Sequence, residues 1–89
     1  MSDDPYVKEL LPGYIARRRE EVVTLRQALE QNDLKKLRLT GHNLHGSGAA
    51  YGLPRISELG RALERAAAAD DTAAVSEVLD TLQSYVDTL

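Results

Sequence analysis

The stretch "LKKLRLTGHNLHGSGAAYGLPRISELGRALE", residues 34 to 64, decides the fold. Its apolar positions recur every three or four residues and no part of it alternates strictly, so it reads as helix and not as strand. In the first half the stripe runs Leu34, Leu37, Gly41, Leu44, Gly48 and Tyr51, and it stops at Gly52. Pro54 then opens a second helix with Ile56, Leu59, Leu63 and Ala66 on one side. Two helices joined by so short a turn fold back against each other.

The same periodicity extends outward in both directions. Upstream, Asp4 and Pro5 read as an N-cap and first helical residue, and Pro12 pushes Leu11 away from helical geometry. The expectation is a short helix over residues 5–10, followed by a longer one starting at Pro12 and ending near Gln31. From Leu11 the apolar positions run Leu11, Ile15, Val22, Leu25 and Leu29, with Arg18 in a slot where an apolar residue was due. Asn32 or Asp33 caps the helix after it. Downstream, Asp70 or Asp71 caps a last helix with Val75, Val78, Leu79, Leu82, Val86 and Leu89 inward. The expected fold is all-α, an antiparallel four-helix bundle with a short extra N-terminal helix, formed by residues 1–89 as a single domain.

Composition narrows the functional classes. A chain of 89 residues, 43% hydrophobic and without cysteine, must hold itself together by packing, with no disulfide or thiolate metal cluster. A sequence pI of about 5.3 argues against a general attraction for nucleic acid. No apolar run approaches the roughly 18 to 20 residues that span a bilayer, so no membrane partner is expected. The start "MSDDPYVKEL" lacks the basic and apolar regions of a signal peptide, which makes the cytoplasm the expected location.

The centre of the stretch holds two histidines among glycines. Glycine costs a helix interior about 0.5 to 1 kcal/mol relative to alanine, so Gly41, Gly46 and Gly48 need a reason. At about 100° per residue, His42 projects roughly 130° from the inward stripe and faces water, beside Lys35, Leu39, Gly46 and Ala49. A bare Gly46 one turn on lets another molecule reach the imidazole, and Leu39 and Ala49 give that molecule apolar surface to cover. Gly41 and Gly48 point inward, where a neighbouring helix can approach. His45 lies about 60° from His42, toward the edge of the buried stripe, with its ring half covered.

Three chemistries suit such a histidine. Two histidines one turn apart can share a metal ion, but there is no cysteine, no HExxH pattern and no carboxylate within a turn, so no metal site is expected. Hydrolysis with Ser47 as nucleophile fails because Ser47 turns to the opposite side of the helix. Phosphoryl transfer needs only an accessible neutral nitrogen, little hindrance and a surface that docks the donor in line. Histidine is substantially neutral at pH 7, and the face around His42 meets these needs.

At this point the residues resemble the histidine-containing phosphotransfer (HPt) domains of bacterial multistep phosphorelays. Their pattern is approximately HxLKGS, a glycine after a few small residues, then an apolar helix ending in LE. Here it reads "HNLHGSGAAYG" from His42 to Gly52 and "LPRISELGRALE" from Leu53 to Glu64. The resemblance implies that His42 is the phosphoacceptor, that Gly46 clears room for the partner, that Leu44 faces the core and that Ser47 is a packing residue. It implies response-regulator receiver domains as partners, with a hybrid sensor histidine kinase as a further one. The receiver would supply Mg2+ and most catalytic groups. No cofactor of the chain's own is expected, no GxxxxGK[ST] nucleotide loop is present, and the carrier is expected to be a monomer and not an enzyme.

One position departs from the pattern. Where the family usually has lysine, this chain has His45, whose charge varies with pH, so phosphohistidine stability or transfer rate is expected to depend on pH. Arg18 could stand level with His45 if its helix runs antiparallel, but "RRREE", Arg17 to Glu21, reads more simply as a solvated face with local ion pairs. Lys35 and Arg38 are better placed to steer an acidic partner. The competing reading is a helical docking adaptor that binds a receiver domain through the same face without carrying phosphate.

Overall fold

The computed structural model describes residues 4–89, which form four α-helices and, among the described residues, no strand. Helix α1 spans Pro5–Glu30, α2 Leu34–Ser47, α3 Pro54–Ala68 and α4 Thr72–Asp87, with a 3₁₀ turn over Ala49–Tyr51. Each helix packs on its sequence neighbours, and α4 closes the ring onto α1. The bundle measures 39 × 19 × 17 Å, and its long dimension matches the length of α1, 26 residues at about 1.5 Å each.

The expected break at Pro12 does not occur: α1 is one helix with Pro12 inside it, and there is no separate helix over residues 5–10. Asp4 caps its start by accepting the Tyr6 N–H at 2.9 Å. Proline lacks the N–H that would bond the Lys8 carbonyl, but Pro12 and Lys8 are both exposed, so water can take that place. Tyr14, two residues on, is buried and ties the helix to the core.

Two of the three connections use the same device. Asn32 and Asp70 take left-handed backbone conformations, φ 56° and 55°, while Asp33 and Asp71 cap the following helices by accepting the N–H of Lys36 and Ala74. Asn and Asp tolerate that region better than other side chains. Within each alternative pair from the sequence, the first residue makes the turn and the second makes the cap. The α2–α3 connection uses the 3₁₀ turn and Gly52 at φ 76°.

Val22, Leu25, Leu37, Leu44, Ile56, Leu63, Val75, Leu79, Leu82 and Val86 fill the core, as the periodicity implied. Leu89 does not join them: it lies beyond the end of α4 and is 39% exposed. Tyr14, absent from the expected stripe, is buried, stacks on Tyr51 with ring centres 4.0 Å apart and shares a 2.8 Å hydrogen bond with Ser47. Ser47, on the far side of α2 from His42, satisfies the hydroxyl that burial would otherwise strand.

The α2–α3 contact is the tightest in the molecule and it sets the site. A Cβ on Gly41 would lie 2.7 Å from the Gly60 carbonyl, and one on Gly48 would lie 2.5 Å from the Ser57 nitrogen. A Cβ on Gly60 would meet the His45 nitrogen at 2.5 Å. These three glycines bring the two backbones together in antiparallel register, with Glu64 opposite His42 and Ser57 opposite Gly48.

Candidate functional site

The register laid down by the glycine seam presents the outer edges of α2 and α3 as the walls of one shallow groove. Arg38, His42 and His45 line it from α2, and Arg61, Glu64 and Arg65 from α3. The His42 side chain is 65% exposed, and its Nδ1 lies 3.0 Å from Glu64 Oε2. A carboxylate accepts a hydrogen bond, so Nδ1 carries the proton. In the neutral ring this leaves the Nε2 lone pair free, on the atom that faces away from the protein partner.

His45 is anchored in a different way. Its Nδ1 donates to the Ser57 backbone carbonyl at 3.2 Å, so the neutral ring is again protonated at Nδ1 and bare at Nε2. The residue is exposed, not half covered as its helical angle implied, because α3 at Gly60 has no side chain to lay over it. Ser57 also accepts the Ala49 N–H at 2.8 Å, fixing the turn that follows the histidines.

Gly46 meets open space: nothing lies within 4 Å of the position a Cβ would take. Leu39 is 46% exposed, and Lys35, Arg38 and Ala49 are exposed as well. Of the residues expected at the site, the structure brings Arg38, His42 and His45 into one groove. Lys35, Leu39 and Ala49 stand on the surface of the same hairpin outside that groove.

Arg18 is not in this groove. Its guanidinium pairs with Glu21 at 3.0 Å and lies 4.4 Å from the centre of the Tyr14 ring, with only 15% of the side chain exposed. The local ion pair is the one the plainer sequence reading expected, but at Arg18 it is partly buried and not a solvated face. Burial pushes the Glu21 carboxyl above its ordinary 4.5, and the neighbouring Arg18 charge only partly offsets that.

Residue-by-residue reading missed the α3 wall. In the sequence Glu64 is only the end of the LE pattern, and Arg61 and Arg65 belong to no motif. Their i, i+4 spacing does place both arginines on one helical face, which is a legible signal. Gly60 is a second legible signal, since a glycine inside a helix of otherwise strong formers marks a close approach.

Comparison with known protein families decides the class: the family model described as Hpt domain matches residues 9–89. The chain belongs to the Hpt domain family. Comparison with curated proteins and with solved structures returns no match. Hpt domains are phosphocarrier modules that act in phosphotransfer in two-component signalling and interact with receiver domains. Among the described residues of this Hpt domain, no helix is long and apolar enough to cross a membrane. No group of three or more His, Cys, Asp or Glu among them could hold a metal ion.

Proposed function

We propose that His42 is the phosphoacceptor and that the protein carries a phosphoryl group between the aspartates of receiver domains in a multistep phosphorelay. The observation that carries this reading is the pairing of His42 Nδ1 with Glu64, which leaves an exposed Nε2 beside the open face at Gly46. Nε2 attacks the phosphorus of an aspartyl phosphate, a P–N bond forms, and the P–O bond breaks with its electron pair leaving on the donor carboxylate. The ring then bears positive charge until Nδ1 gives up its proton to solvent. Glu64 stabilises that charge and holds the ring in the reactive tautomer. Transfer onward reverses these steps.

Lys35, Arg38, Leu39, Gly46 and Ala49 form the docking surface in this proposal, a basic and apolar face for an acidic receiver. The protein works as a monomeric phosphocarrier, with residues 1–89 acting as one unit, in the cytoplasm where receivers operate. The match over residues 9–89 and the continuous ring of helices support the reading of the chain as one unit.

Incubation with a phosphorylated receiver should place an acid-labile, alkali-stable label on His42, and His42→Gln should abolish it. Label retained in that variant would overturn the assignment. No label from any receiver, together with retained binding, would make the protein a docking adaptor and not a carrier.

A further inference from the structure

The phosphoryl group on His42 brings close to two negative charges to a position where this chain lacks the lysine of the family pattern. Neutral His45 does not replace it as a donor. Its one N–H is committed to the Ser57 carbonyl, and its Nε2 presents a lone pair that would repel phosphoryl oxygens.

The groove supplies other cations. Arg38 lies one turn before His42 on α2, and Arg61 and Arg65 flank Glu64 on α3. All three are exposed, and none is in an ion pair among the described residues, whereas Arg18, Arg26 and Arg55 each have a carboxylate partner. Arg61 follows Gly60, whose backbone lies against Gly41, Leu44 and His45, so its stem rises from α3 beside the level of the missing lysine. In a chain of net charge −3, three unpaired guanidinium groups share this groove with a single carboxylate, which His42 already engages. Guanidinium is always charged, and its planar fork matches phosphate oxygens.

We propose that Arg61, with Arg65 and Arg38, binds the phosphoryl oxygens on His42, taking from across the α2–α3 groove the role that the family pattern gives to a lysine at position 45. This rests on His42 being the phosphoacceptor. The arginines leave the bonding sequence unchanged: P–N forms at Nε2, the donor bond breaks, and the guanidinium groups neutralise the three oxygens as the phosphoryl passes between nucleophiles.

Phosphoramidate, a small donor that needs no docking surface, separates the two ideas. Wild-type protein should take label on His42, and the Arg61→Ala/Arg65→Ala double variant should label about tenfold more slowly, the scale of a lost charge-assisted contact. Arg61→Lys in the Arg65→Ala background should recover part of the rate, and Arg38→Ala should cause a smaller loss. Arg26→Ala and Arg55→Ala, which remove paired arginines elsewhere, should leave the rate alone. The tautomer of His42, read by nitrogen NMR, should stay protonated at Nδ1 throughout. Wild-type protein that takes label neither from phosphoramidate nor from a phosphorylated receiver overturns the phosphoacceptor reading and this proposal together. Normal labelling of His42 at equal rates in wild type and the double variant overturns the arginine assignment alone, as does an equal slowing in Arg26→Ala or Arg55→Ala.

Discussion

Helix α2 and its C-cap carry glycines on two faces, and the faces differ in what meets them. On the inner face, Gly41 and Gly48 lie against backbone atoms of α3, and Gly60 answers from the other side. On the outer face, Gly46 meets nothing within 4 Å. The residue and its cost in helix propensity are the same at both places. What differs is the body that occupies the missing side chain's volume, another helix of the same chain on one face and solvent or a partner on the other. A glycine in a helix is therefore a sign of close approach, and only the surroundings say whether folding or function requires it.

The strongest way to break that comparison is to fill the inner seam. Gly60→Val should destabilise the protein by about 3 kcal/mol, because its added atoms meet backbone that cannot rotate aside. Urea unfolding followed by circular dichroism measures this, and a loss below about 1 kcal/mol would show that the helices can separate freely. The matching change on the outer face is Gly46→Gln. It should keep or slightly raise stability through better helix propensity, yet slow phosphoryl transfer from a receiver by about a hundredfold through misplacement of the partner. Lost helical content in that variant would place Gly46 with the packing glycines.

Smaller effects test the far side of α2, where side chains and not their absence make the contact. Tyr14→Phe removes the 2.8 Å hydrogen bond to Ser47 and should cost about 1 kcal/mol while leaving His42 reactivity untouched. A change in the labelling rate would mean that the two faces communicate. The least effect belongs to Glu21. Its folded-state carboxyl sits above the ordinary 4.5, so the folded state holds its proton more tightly than the unfolded state does. The stabilising contribution is therefore present at pH below 4.5 and is lost as pH rises through the elevated value. Glu21→Gln should flatten the stability curve over that interval, and an unchanged slope would assign it to other carboxyls.

The helices were legible because burying one face of a helix imposes a period that local sequence must obey. The exception is instructive. Pro12 carries a real local cost, but the buried Tyr14 and the core positions beyond it continue the same helix, and Lys8 and Pro12 are exposed, so water can replace the missing bond. Tyr14 itself was hidden from the stripe because its polar end needs Ser47 and its ring needs Tyr51, neither of which is near it in sequence. At the site, angle alone set His42 on an outer face with Lys35, Leu39, Gly46 and Ala49, and put His45 toward the buried stripe, where the structure instead leaves it exposed. Glu64, Arg61 and Arg65 could not be placed by angle, since they reach that face only through a pairing 22 residues apart.

The two clusters of arginine show the same division. "RRREE" is conspicuous in the sequence, yet Arg18 is spent on Glu21 and the Tyr14 ring. Arg38, Arg61 and Arg65 are scattered, yet they line one groove with His42, and none is in an ion pair among the described residues. By itself the sequence determined the helical period, the pairs of residues that turn and cap, and the outer face on which His42 stands, because these follow from periodicity, turn chemistry and the properties of single side chains. Only the tertiary structure decided which nitrogen of His42 is free and which charges surround it, because both depend on the register that Gly41, Gly48 and Gly60 impose on two separate helices.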